Sequence, residues 1–139
     1  MQKESFQSRY GKATMWLALK KSLFAQLMYS VQNVVDTTVP TAATNYRQRF
    51  FNPEWMDGHT YMQQAGVMAH EILHEVLFHK SRQGDREMNI WNFVADIKIN
   101  NMLLAAGFEL PTPGAFDYEG NKFPGKTEEE IYDLVKKEE

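Results

Sequence analysis

The 139-residue chain contains no cysteine. No disulfide can staple its fold, and no thiolate can hold a metal ion. A chain without cysteine fits a reducing compartment. Long apolar runs are also missing. No stretch approaches the roughly 18 apolar residues of a membrane span, so no membrane association is expected. Neither sign of charge dominates: 15 Lys and Arg against 18 Asp and Glu leave a formal net charge of −3. That balance provides no electrostatic footprint for nucleic acid or an anionic membrane surface. The first residues, Met1 to Ser5, include an acidic side chain and lead into no apolar run with a cleavage site. They do not read as a signal peptide, and a cytoplasmic location is expected. Internal repeats and low-complexity segments are absent.

What is present is ordinary for a folded domain: 43% hydrophobic and 24% charged residues. The length suggests one domain with one core. From about Ser8 to Val35, Trp16, Leu19, Leu23, Leu27, Val31 and Val34 recur at three- and four-residue steps. This spacing predicts one long N-terminal helix. Tyr46 to Phe51 has partial alternation and aromatic content, and reads as a strand preceded by a turn at Asn45. Arg47 and Arg49 on one face suggest that it is an edge strand. A second helix is expected from about Thr60 to Arg82, apolar on more than half its surface and therefore buried. Gly84 would follow its end. A third helix should span about Asn89 to Ala106, with Gly107 at its C-terminal cap. The prolines and glycines from Pro111 to Gly125 mark a long loop. The capping box Thr127-Glu128-Glu129-Glu130 opens a last short helix.

The second predicted helix carries the chemistry. Residues 70 to 79 read His-Glu-Ile-Leu-His-Glu-Val-Leu-Phe-His and hold three of the four histidines. They contain H-E-x-x-H, the pairing with which zinc peptidases hold a metal and deprotonate a water. Shuffling this composition would produce the motif in only about 1% of chains, so it counts as signal. Residues four apart on a helix lie about 40° apart around the axis and roughly 6 Å apart along it. His70 and His74 can therefore face one ion. Zn²⁺ suits them, because it takes tetrahedral nitrogen and oxygen ligands and lowers the pKa of a coordinated water toward about 7. Glu71, beside the first histidine, is placed to take a proton from water and pass it to a leaving amine. Glu75 reads as a salt-bridging or supporting residue without a catalytic role.

Two side chains are candidates for the third ligand. On a continuous helix His79 lies about 140° from His74, facing away, and could serve only if the helix broke after Leu77. Asp96, in the middle of the third helix, is a carboxylate on an apolar element and needs a cation or a strong donor. Asp96 is the favoured third ligand and His79 the alternative. Asn100, one turn further on, could share that face or pair with backbone.

These residues, with Pro40-Thr41-Ala42-Ala43-Thr44, Phe51-Asn52-Pro53-Glu54, Trp91-Asn92, Leu110-Pro111 and Glu129-Glu130-Ile131-Tyr132, resemble a bacterial and phage family. It is known as the "putative metallopeptidase domain" and is usually found N-terminal to a von Willebrand factor A-like domain. The resemblance implies an α+β, zincin-like fold, with a small sheet packed on the motif helix. Residues 1–139 would form that single domain, with His70, His74 and Glu71 carrying over directly. The family pattern has counterparts of both His79 and Asp96, so it does not choose between them. The sequence ends soon after Tyr132, as either a stand-alone version or a piece of a longer chain would, and the lower wall of a peptidase cleft would then be thin.

The expected function is hydrolysis of peptide bonds in a peptide or protein substrate. Zn²⁺ would be held by His70, His74 and Asp96, with Glu71 as general base. The alternative is a non-catalytic, zincin-like metal-binding or regulatory module acting through a partner protein.

Overall fold

The computed structural model describes residues 6–28, 31–111, 123 and 125–138, without the side chains of 6, 7, 18, 19, 22, 23 and 25. Among these residues the fold is α+β. Two helices, α1 (Phe6–Lys20) and α2 (Ser22–Met28), precede three strands, β1 (Gln32–Val35), β2 (Ala42–Thr44) and β3 (Gln48–Phe51). The remainder is helical: α3 (Pro53–Asp57), α4 (Tyr61–Val76), α5 (His79–Arg82), α6 (Met88–Ala105) and α7 (Glu128–Lys137).

The single N-terminal helix expected to reach Val35 is broken. Its regular pattern ends at Lys20, and Gln32–Val35 pairs in parallel with Gln48–Phe51. Val34 suits either state: its β-branched side chain favours a strand, and the pairing with Phe50 decides the outcome.

The expected strand at Tyr46 is also corrected. It begins at Gln48, and Tyr46 takes a left-handed φ of 71° in the preceding turn. Asn45 makes that turn, its Oδ1 accepting from the amides of Arg47 and Gln48 at 2.9 and 2.7 Å. The strand order is β1-β3-β2, so the Arg-bearing strand is central and β2 is an outer strand, antiparallel to it. Arg49 is 1% exposed and guards no edge.

Helix α4 begins at a capping box. The Thr60 side chain accepts from the Gln63 amide at 3.2 Å, and the Gln63 side chain accepts from the Thr60 amide at 3.0 Å. From Gln64 to Leu73 every residue of α4 is buried. The helix runs through the middle of the molecule, packing on α1, α2, β2 and α6. Ala65, Met68, Ala69 and Ile72 join Ala13 and Leu17 of α1, Phe51 of β3, and Ile99 and Leu103 of α6 in the main core. A second cluster, Trp91, Val94, Ile131 and Tyr132, fastens α7 to α6. Helix α6 ends as expected at Gly107, whose φ is 88°. The amides of Gly107 and Phe108 return to the carbonyls of Leu104 and Leu103 at 3.1 and 2.9 Å, which satisfies the terminal acceptors. The expected loop from Pro113 to Gly120 and Pro124 lies outside the described residues. Among the described residues no helix is long and apolar enough to cross a membrane.

Candidate metal centre

Helices α4 and α6 bring their polar residues together in matched pairs. His70 and His74 lie one turn apart on α4, and Asp96 and Asn100 lie one turn apart on α6. Asp96 Oδ1 is 2.9 Å from His70 Nε2 and 3.2 Å from His74 Nε2. One ligand atom from each of His70, His74 and Asp96 can be chosen so that all lie within 4.8 Å of one another. Ligands about 2.0–2.1 Å from a tetrahedral ion stand roughly 3.3 Å apart, so the spacing fits a divalent cation. Two imidazole nitrogens and a carboxylate oxygen form a donor set of the required kind.

The second nitrogen of each imidazole is also engaged. His70 Nδ1 lies 3.0 Å from Asn100 Oδ1, which can only accept, so Nδ1 carries a proton, while Nε2 hydrogen-bonds Asp96 Oδ1 and is the nitrogen that would turn its lone pair to a bound metal. Asn100 therefore shares the face of α6 that carries Asp96. His74 Nδ1 lies 3.0 Å from His79 Nδ1. His79 does not face away as a continuous helix would require. Helix α4 stops at Val76, and Phe78 adopts a left-handed φ of 56°. The chain then restarts as α5, which turns the His79 ring back onto His74. The Arg82 guanidinium donates to the Leu77 carbonyl at 2.8 Å, satisfying an acceptor that the break leaves open. His79 lies outside the His70–His74–Asp96 group. Its Nε2 is instead 2.5 Å from Glu128 Oε2 on α7.

Glu71 is 5% exposed and lines the same pocket as the three converging residues. Burial dominates its environment. His74 and Arg49 pull its pKa down and Asp96 and Glu75 push it up, and the carboxyl ends at about 7. Burial would raise Asp96 as well, but hydrogen bonds from His70 and His74 outweigh it and bring that carboxyl to about 2. Burial lowers the His79 imidazole, against the opposing hydrogen bond to Glu128. Glu75 is a supporting residue: its carboxylate accepts from Arg49 at 2.7 and 2.8 Å and from the Thr44 hydroxyl at 2.8 Å.

The pocket is open and has a volume of about 460 Å³. One wall is β2 with the Asn45–Tyr46 turn, and the other is formed from α5 and α6 by Lys80, Gln83, Trp91 and Asn92. Tyr46 and Glu128 escape the sequence reading. An aromatic residue inside an apparent strand carries no sign of a left-handed turn, and a glutamate in a capping box reads as solvated. Burial, then the charges of Glu71 and Glu75, push the Tyr46 phenol up to about 12, so it remains protonated at neutral pH.

No curated protein and no solved structure matches the chain. A family match covers residues 5–139, far more than half the chain, and the converging His, His and Asp residues fit its description at the level of a metal-dependent peptidase. By that match the protein belongs to the family described as the "putative metallopeptidase domain".

Proposed function

We propose that the protein is a zinc-dependent peptidase of zincin-like construction, acting on peptides or proteins in the cytoplasm. His70, His74 and Asp96 are the metal ligands and Glu71 is the general base. The observation that carries this reading is the convergence of His70, His74 and Asp96 in a pocket that also holds Glu71. When bound, zinc would acidify a coordinated water and polarise the scissile carbonyl. Glu71 would take a proton from water in the pocket and deliver it to the departing amine, and burial lifts its carboxyl to about 7. Asn100 holds the His70 ring in place. The outer strand β2 lines the pocket, and an extended substrate pairs with its backbone.

Substitution of Glu71 by Gln keeps the shape and removes the base. The expected outcome is stoichiometric zinc with peptide hydrolysis reduced roughly 10²–10⁴-fold. Cleavage at the native rate by Glu71→Gln would contradict the proposed role. Full zinc occupancy without cleavage by the native protein, tested on a peptide library, would favour the non-catalytic metal-binding module. His70→Ala and His74→Ala should each abolish stoichiometric zinc, measured by metal analysis after dialysis.

A further inference from the structure

Two imidazole Nδ1 atoms 3.0 Å apart, those of His74 and His79, form a hydrogen bond only when one carries a proton and the other does not. The far side of His79 decides which. Its Nε2 lies 2.5 Å from Glu128 Oε2, and the Glu128 side chain is 4% exposed. A carboxylate can only accept, so the His79 proton is on Nε2 and its Nδ1 is left as the acceptor. His74 then donates from Nδ1, which makes Nε2 the nitrogen that faces Asp96 Oδ1 at 3.2 Å: it donates to that oxygen when protonated and would offer its lone pair to a bound metal.

The chain of contacts is firmly mounted. His79 is 2% exposed. Its carbonyl accepts from Trp91 Nε1 at 2.7 Å, and its ring meets the Trp91 ring edge-on at 6.0 Å. Arg82 Nη1 donates to the same Glu128 oxygen at 3.0 Å, which fixes the carboxylate from the other side. The left-handed turn at Phe78 brings His79 into position. It is a bulky residue in a conformation that such side chains avoid.

We infer that His79, braced by Glu128, is a positioning residue. It holds His74 in the tautomer whose Nε2 is free to bind the metal, as Asn100 does for His70. The inference rests on the reading of His70, His74 and Asp96 as zinc ligands. It goes beyond that reading by giving the third histidine of the motif run a task other than ligation. It also makes the first residue of α7 part of the metal site.

Two substitutions separate this role from a merely structural one. In His79→Asn the amide oxygen takes the place of Nδ1 and still accepts from His74. In His79→Gln the amide reaches Glu128 and preserves that anchor, but leaves His74 without its acceptor. Zinc affinity, measured by competition with a chromophoric chelator, should fall roughly 10–100-fold in His79→Gln, while His79→Asn retains most of it. Nitrogen-15 NMR of the zinc-loaded native protein should place the His74 proton on Nδ1 and the His79 proton on Nε2. Equal affinities for the two variants, or a His79 ring bound directly to zinc, would overturn the inference while leaving the zinc site standing. A native protein that binds no zinc would overturn the zinc reading and the inference together.

Discussion

Arg49 is the most deeply buried cation among the described residues, and every side-chain nitrogen it has is occupied. It donates to both Glu75 oxygens, to the Met28 carbonyl at 3.0 Å and to the Leu27 carbonyl at 2.9 Å. One guanidinium thereby ties the end of α2, the centre of the sheet and the motif helix together beside His74. A planar fork can satisfy so many acceptors where an ammonium cannot. Arg49→Met removes the cation and leaves a largely buried carboxylate unpaired. It should cost about 3–5 kcal/mol in urea unfolding, and a loss below about 1 kcal/mol would show that the pair is energetically idle. The sequence pointed the other way. Charge on a short strand suggests an exposed edge, because unpaired buried arginine is so costly. The partner that removes the cost, Glu75, lies 26 positions along the chain.

At the scale of elements, the pieces governed by local rules were legible. The α4, α6 and α7 helices, the cap at Gly107, the capping box at Thr127 and the turn at Asn45 follow from contacts within a few residues. Likewise, the four-residue spacing of H-E-x-x-H, and of Asp96 with Asn100, places each pair on one face whatever the tertiary fold. The elements that were misread are decided at long range. Gln32–Val35 becomes a strand because Gln48–Phe51 pairs with it. The motif helix breaks at Phe78 without glycine because Arg82 reaches the Leu77 carbonyl while Glu128 and Glu129 of α7 hold that guanidinium. Gly66 is a further long-range case. A Cβ there would collide with the backbone carbonyl of Glu109, which crosses directly over α4. Gly66→Ala adds up to about 1 kcal/mol of helix propensity, but a clash with backbone, which cannot rotate away, typically costs about 1–3 kcal/mol. The variant should melt several degrees below the native protein by calorimetry. A higher melting temperature would mean that the 109–111 segment yields easily.

For the whole molecule, α7 links distant parts of the chain. Its hydrophobic face packs on Trp91 and Val94, and its first residue reaches back to His79 and Arg82. Burial alone would raise the Glu128 carboxyl; the hydrogen bonds from His79 and Arg82 overcome that and bring it to about 2. The folded state thus holds the ionised form more strongly than the unfolded chain does. The stabilisation is fully present above the ordinary pKa of 4.5 and is lost as pH falls from there toward about 2. Its size is at most roughly 3 kcal/mol. Glu128→Gln should therefore be less stable at pH 6 and should show a flatter loss of stability between about pH 4.5 and 2 in denaturant titrations. Parallel acid limbs in the two proteins would show that Glu128 does not couple α7 to the site.

These scales meet in the placement of His70, His74, Asp96 and Glu71, which a crystal structure of the zinc-loaded protein tests most directly. Anomalous scattering collected on both sides of the zinc absorption edge would locate the ion. The expected result is one ion bound by His70 Nε2, His74 Nε2 and an Asp96 oxygen, with Glu71 facing the open side and His79 bonded to Glu128. An ion ligated by His79 in place of Asp96, or no ion at the pocket under saturating zinc, would contradict the account.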